Sequence, residues 1–365
     1  MDILVDRSSA PESSGKSSTE VASTRLAPLQ SLADSGSLRA KLLFPANSAG
    51  QWWHQETLYQ SNHTQAEGVR ADISRAGRFQ IPSVSVPSTV PDEPDYLERV
   101  MAKAEQIGVS IIVRLDTRDE VANIPAARRW LQSGAKGIAV MSQWHDDDEV
   151  ATAMLPLLAL TAQFSEGAAL LLSHTPENTD ALLHVLAENW VHVLFHGLLD
   201  GGPWRATAFA SKLDEIYSSY RRFGTTPGWY VGKTTLERTH GALTPTGAAL
   251  LRLALPGMMT VGSSLDITPT LRAALRIRNE YRLATAPITL IDMDPQLDVV
   301  SLSVGRIVVV ANFSNNSALL QEASGTLVVS DDAATTDPEG VWLAPGGVAW
   351  LSASDATIET LPEAI

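Results

Sequence analysis

The sequence predicts an α/β chain, a (β/α)8 TIM barrel followed by a small C-terminal antiparallel β-sandwich. Three observations predict it. From about residue 57 short β-branched or apolar runs alternate with longer amphipathic ones, the pattern of parallel strands joined by crossover helices. Eight such units can be counted, the number that closes a barrel. After Leu283 the rhythm changes to short alternating segments separated by Gly, Asn, Asp and Pro turns, as in stacked antiparallel sheets.

Taken in order, strands are predicted at 57–60, 79–86, 109–115, 137–141, 168–173, 190–195, 228–232 and 257–262. Helices fit 65–76, 95–107, 123–133, 147–163, 177–188, 204–223, 244–255 and 269–283. Pro176 suits a helix start, and Asp146, Asp147 and Asp148 suit the positive end of a helix dipole. In the tail, strands are expected in Val299–Val304, Arg306–Ala311, Thr326–Val329 and Val341–Leu351. The first forty residues carry Ser8-Ser9, Ser13-Ser14 and Ser17-Ser18-Thr19 with few large apolar side chains, too little to offset the entropy of ordering. The expected division is a disordered Ser-rich tail over 1–40, the barrel over 41–284 and the sandwich over 285–365.

Composition narrows the function classes. The 365 residues are 44% hydrophobic, enough for a sizeable core. A net charge of -14 supplies no basic stripe for nucleic acid or an anionic membrane. The absence of cysteine removes disulfides, thiolate metal ligands and thiol nucleophiles. Residues 1–25 show no apolar signal-peptide core, and runs such as Met154–Ala162 fall short of a membrane span, so a cytoplasmic location is expected.

Several motifs recur in a familiar order. Arg128-Arg129-Trp130-Leu131 through Gly137-Ile138-Ala139-Val140-Met141 resembles the fourth barrel strand of glycoside hydrolase family 13, R-F-W-L-x-x-G-V-D-G-F-R-x-D. Gln51-Trp52-Trp53-His54 with Leu58-Tyr59-Gln60 resembles the approach to the first strand, and Gly108 through Arg114 is similar to the third, G-x-x-V-I-L-D. Phe195 through Pro203-Trp204, Trp229 through Arg238 and Leu255-Pro256-Gly257 resemble segments of the sixth, seventh and eighth strands. Arg276-Ile277-Arg278 resembles the following helix, and Val308 through Ser314 the V-V-x-N-F-S strand of the C-terminal domain. The resemblance covers nearly the whole folded part.

Carried across residue by residue, the resemblance implies an absent active site. Met141 stands in the place of the nucleophilic Asp and Ala139 in that of its supporting Arg. Ser173 and His174 stand where the acid/base Glu should be, and Lys233-Thr234-Thr235 replace N-H-D, with Arg238 retained. In the third strand Arg114-Leu115-Asp116-Thr117-Arg118-Asp119 replaces D-x-x-x-N-H. A retaining glycosidase needs two carboxyl groups about 5 Å apart. The inserted domain that follows the third strand in the family is also missing, since only Arg118–Pro125 separates that strand from its helix. This combination resembles the heavy-chain ectodomain of heteromeric amino-acid transporters, a related barrel that serves a protein partner. That family has a membrane helix before its barrel and this sequence shows none, so only the idea of a repurposed barrel carries over.

The expectation is therefore a catalytically inactive protein-interaction subunit, homo- or hetero-oligomeric, with an active carbohydrate enzyme as partner. Two alternatives stand beside it: an α-glucan- or disaccharide-binding module without turnover, and a glycosidase using Asp116, Asp119 and His174. Candidate barrel-mouth residues are Asp116, Trp144, His145, His174, His196, Lys233 and Arg238. Trp144 has the character of a sugar-stacking or interface anchor, and Lys233, Glu237 and Arg238 that of an ion-pair plug. The histidines with Asp116 have the composition of a divalent metal site but not a local ligand spacing, so neither metal nor cofactor is expected. Trp52, Trp53, Trp204 and Trp229 are read as packing residues.

Overall fold

The computed structural model describes residues 3–5, 40–46, 51–90, 94–115, 120–141, 147–164, 167–174, 179–200, 204–233, 236, 243–294, 298–320, 326–331, 334–337 and 340–352. Two short strands, β1 (Ile3–Val5) and β2 (Lys41–Phe44), precede the barrel. The barrel strands are β3 (Thr57–Gln60), β4 (Ser83–Pro87), β5 (Ser110–Leu115), β6 (Gly137–Met141), β7 (Ala169–Ser173), β8 (Val193–Phe195), β9 (Gly228–Val231) and β10 (Met258–Gly262). They are parallel and close into a ring in chain order, with β10 paired to β3. Helices α1 (Ala66–Arg78), α2 (Tyr96–Ile107), α3 (Glu120–Gln132), α4 (Asp147–Thr161), α5 (Thr179–Glu188), α6 (Ala206–Arg222), α7 (Pro245–Ala254) and α8 (Pro269–Glu280) follow the strands in turn. The predicted TIM barrel and C-terminal sheet domain are thus present.

Local chemistry sets the helix ends. Thr244 and Thr268 cap α7 and α8 by accepting the Gly247 and Leu271 N–H groups at 2.8 and 3.3 Å, each followed by Pro at the first helical position. Gly108 ends α2 in the left-handed region at φ 79°. The strand predicted from 79 starts at Ser83 because Phe79 caps α1 and Gln80 turns the chain at φ 57°.

Period-two alternation divides the barrel strands between two cores. Leu58, Ile112, Ala169, Leu171, Val193, Phe195 and Met258 pack inside the ring, with Trp53 across its N-terminal end. The intervening residues, among them Tyr59, Val113, Ile138, Leu170, Leu172, Leu194 and Val261, join the helices in the larger outer core.

The C-terminal part comprises β11 (Ile288–Asp294), β12 (Val299–Val304), β13 (Ile307–Asn312), β14 (Ala318–Leu320), β15 (Thr326–Ser330), β16 (Ala334–Asp337), β17 (Gly340–Leu343) and β18 (Val348–Ser352). Two antiparallel sheets form, in the orders β15-β18-β13-β12-β11-β2 and β1-β14-β17-β16. Val308, Val310, Ala318, Leu343, Ala349 and Leu351 bury between them. The expected single run Val341–Leu351 is two strands, divided by a turn where Gly346 adopts φ 74°. The boundary drawn at 41 needs correction at its first residues. β2 pairs with β11, so the chain contributes to the C-terminal sheet before it starts the barrel. Within the stretch expected to be a disordered tail, Ile3–Val5 pairs with β14, while residues 6–39 lie outside the described residues.

Polar groups fasten the barrel to the sandwich. Asp298 accepts the Ala206 N–H at 2.7 Å, capping α6, and Asp331 accepts the Thr244 hydroxyl at 2.7 Å. Phe313 stacks on Trp204 at 6.3 Å, and fully buried Asn312 donates to the Asn316, Leu343 and Ala344 carbonyls. Arg278, 1% exposed, donates to the carbonyls of Leu253, Leu255 and Gly257 at 2.7, 2.8 and 2.6 Å, tying α8 to the segment that leads into β10. Burial lowers its pKa to about 10, so it remains a cation at neutral pH. Among the described residues no helix is long and apolar enough to cross a membrane. Replacing Arg278 with Met leaves three buried carbonyls without their donor and is expected to cost about 3–5 kcal/mol in urea unfolding. A loss below about 1 kcal/mol would show that the guanidinium is dispensable.

Candidate functional site

The C-terminal ends of barrel strands are where this architecture presents reacting groups, because the βα connections leave from that end. Alternation directs inward Gln60 from β3, Ser85 from β4, Arg114 from β5, Ala139 and Met141 from β6, Ser173 from β7, Phe195 from β8, Tyr230 from β9 and Thr260 from β10. Together with Leu58, Val140 and Leu171 they surround a cavity of about 20 Å³. That is room for about one water. Pockets that bury an organic ligand are about 300–1,000 Å³.

Tyr230 and Arg114 do most of the filling. A Cβ on Gly262 would lie 2.4 Å from the Tyr230 hydroxyl oxygen and one on Gly232 2.5 Å from its ring, so two glycines allow the phenol to lie across the ends of β9 and β10. Burial raises the Tyr230 pKa, against a hydrogen bond with Asn62 and the nearby Arg114 charge, so the phenol stays protonated at neutral pH. Asn62 ties the rim together: its N–H donates to the Ser263 hydroxyl at 3.0 Å, and its side-chain oxygen accepts from Gln60 at 3.1 Å.

Among the described residues Arg114 has no countercharge. Its Nη1 is buried with no hydrogen-bond partner, and no described carboxylate lies within ion-pair distance of it. Burial lowers its pKa while Tyr96 and Tyr230 favour its charged form. A guanidinium starts from so high a pKa that it keeps its proton.

The cavity wall brings together Ala139, Met141 and Ser173, three of the positions carried over from the family pattern, and Met141 is 39% exposed at the rim. Beside Ser173, His174 is half-buried and off the wall, its backbone N–H donating to the Phe195 carbonyl at 3.0 Å. Lys233 is exposed just beyond β9, and its partners in the expected ion-pair plug, Glu237 and Arg238, lie outside the described residues. Asp116, Asp119, Trp144, His145, Thr234, Thr235, Glu237 and Arg238 lie outside the described residues.

The placement of His196 at the mouth is corrected. Phe195 takes the inward position on β8, so the next side chain turns outward beneath α6. There His196 stacks on Tyr220 at 5.8 Å and meets Trp229 edge-on at 5.0 Å. Its Nδ1 accepts from the Leu198 N–H at 3.4 Å. Trp53, Trp204 and Trp229 are buried, as expected of packing residues. Among the described residues no cluster of three or more His, Asp and Glu could hold a metal ion.

Sequence reasoning missed Arg114 and Tyr230 as mouth residues, although both were readable. Arg114 occupies the last place of the third-strand motif, two residues after inward Ile112, and Tyr230 adjoins outward Trp229.

Burial, with Arg252 and Lys212 as lesser causes, lowers the His196 pKa from 6.5 to about 3. Its unfolded form therefore takes up a proton first on acidification. The stability it supports is complete above pH 6.5 and falls as pH drops toward 3, by roughly 1 kcal/mol per pH unit. Replacing His196 with Phe is expected to reduce the stability difference between pH 7 and pH 5 by roughly 2 kcal/mol. Unchanged pH dependence of the urea midpoint would contradict the buried neutral imidazole.

No family model matches the sequence, and no curated protein sequence matches it. Solved structures do. An Anoxybacillus α-amylase, described as representing a new glycosyl hydrolase subclass, superposes with a TM-score of 0.56 at 10% identity, covering 83% of this chain and 99% of that one. A cyclomaltodextrinase superposes with a TM-score of 0.54 at 11% identity, covering 84% and 79%. At such identity the likeness speaks for architecture, and it spans both the barrel and the sheets after it. The chain has the α-amylase-type fold, a closed (β/α)8 barrel carrying a C-terminal antiparallel β domain.

Proposed function

We propose that this chain is a non-catalytic α-amylase-like barrel that works through protein contact, as a structural or regulatory subunit whose partner is a carbohydrate-active enzyme. The observation that carries this reading is the composition of the mouth. Its described wall holds Arg, Tyr, Gln, Ser, Thr and Met, and no carboxylate. Glycoside hydrolysis by the paired-carboxyl route needs one protonated and one ionised carboxyl group facing the scissile bond. Met141 offers a thioether, and Ser173 a hydroxyl whose unperturbed pKa suits neither role.

Size supports the same reading. A cavity of about 20 Å³ has no room for a pyranose ring unless the mouth is rebuilt. The connection between β5 and α3 is only residues 116–119, which is too short to build a separate wall for a substrate cleft. A scaffold kept intact around a filled mouth is suited to displaying a surface.

Two measurements test the proposal together. The purified chain is expected to show no turnover of maltose, trehalose or longer α-glucans beyond a buffer blank. Affinity purification from native lysate, sized by light scattering, is expected to yield a stoichiometric complex with an enzyme acting on α-glucans, whose activity or stability changes when this chain is removed. A monomer with no partner, or hydrolysis by the chain alone, would overturn the proposal.

A further inference from the structure

Among the described residues β1 pairs only with β14. Ile3, Leu4 and Val5 lie antiparallel to Leu320, Leu319 and Ala318, on the side of β14 opposite β17. β14 itself is well seated, with Ala318 and Leu319 buried and Ala318 packed with Val341 and Leu343 in the core between the sheets. β1 is held far less firmly. Three residues make a short strand, and their pairing closes a loop over the 35 residues between Val5 and Lys41. A longer extended segment that closes no loop can take their place.

The chemistry of the edge specifies such a segment. Sheet edges usually carry Lys, Pro or an inward charge that keeps other strands away. Ala318-Leu319-Leu320 carries none of these, whereas Ile3-Leu4-Val5 is bracketed by Asp2 and Asp6. β1 therefore brings to the sheet the guard that β14 lacks. Its own sequence shows what pairs there: uncharged, apolar residues. We infer that β14 is a docking site at which a partner protein adds an extended, uncharged, apolar segment as an antiparallel strand, and that Ile3–Val5 is a built-in competitor which this segment displaces. The inference rests on the reading that the chain works through protein contact, and it names the surface.

The sequence contains no cysteine, so engineered cysteines report on the pairing cleanly. Leu4 and Leu319 stand opposite each other, within disulfide reach for antiparallel strands. Full-length Leu319→Cys is first mixed in glutathione buffer with peptides of residues 1–8 that carry one cysteine. The peptide with cysteine in place of Leu4 is expected to be trapped at least about tenfold faster than the one with cysteine in place of Arg7. Adding Leu4→Pro to the chain weakens the competitor and is expected to speed trapping further. Should Leu319→Cys fail to fold, Ala318→Cys with cysteine in place of Val5 repeats the test, since those two residues are also opposite.

The second measurement locks the competitor in place. Oxidised Leu4→Cys/Leu319→Cys chain is expected to recover the carbohydrate-active partner from native lysate at least about tenfold less than the same chain after reduction, the reversal excluding a folding defect. Trapping that ignores the position of the cysteine, or equal recovery by locked and reduced chains, would overturn the docking site and leave the partner reading standing. No partner from either form would overturn the partner reading and the docking site with it.

Discussion

The barrel closes where β10 pairs with β3, Met259 opposite Thr57 through Gly262 opposite Gln60, and this closure governs what the rest of the molecule can be. A ring of eight parallel strands has an interior that must be filled by side chains, because an empty one forfeits dispersion contacts that the fold needs. Trp53 covers the N-terminal end, apolar residues fill the middle, and Arg114 with Tyr230 fill the C-terminal end. Two glycines at the strand ends make way for the Tyr230 phenol.

The layers that surround the ring are fastened by a few desolvated polar groups. Arg278 gathers three carbonyls below β10, Asn312 gathers three more in the sandwich, and Asp298 and Asp331 reach from the sandwich to the starts of α6 and α7. Each would be expensive to leave half made, so barrel and sandwich are held in one arrangement by satisfied groups as well as by area. Arg278 and Arg114 form an instructive contrast. Arg278 is buried and meets three carbonyl oxygens, whereas Arg114 is half-buried and its Nη1 meets no acceptor among the described residues.

Much of this was legible in the sequence. Hydrophobic periodicity located all eight barrel strands and their helices, because a strand buried on both faces and a helix buried on one leave distinct patterns. The two N-terminal strands were not legible: β1 and β2 have 3 and 4 residues, and their pairing with β14 and β11 lies about 250 residues or more away in sequence. In the site, Ala139, Met141 and Ser173 were placed through a family pattern and do meet at one cavity. His196 was misplaced because a single-residue step in a strand reverses the face. Arg114 was noted only as a departure from the third-strand motif, because its place on the cavity wall depends on neighbours from other strands, which no spacing reveals.

The proposed function rests on the mouth of this barrel holding no paired carboxyl groups and admitting no glucan. A crystal structure of the full chain soaked in maltotriose tests it most directly, through the separations between carboxyl groups at the C-terminal ends of β3 to β10. The account predicts Tyr230 in place across β9 and β10, no sugar within the ring, and no two carboxyl groups facing each other across the cavity that Arg114 and Tyr230 line. A pair about 5 Å apart, or about 6.5–9.5 Å apart, with a sugar between them would be the geometry of a working glycosidase and would contradict it.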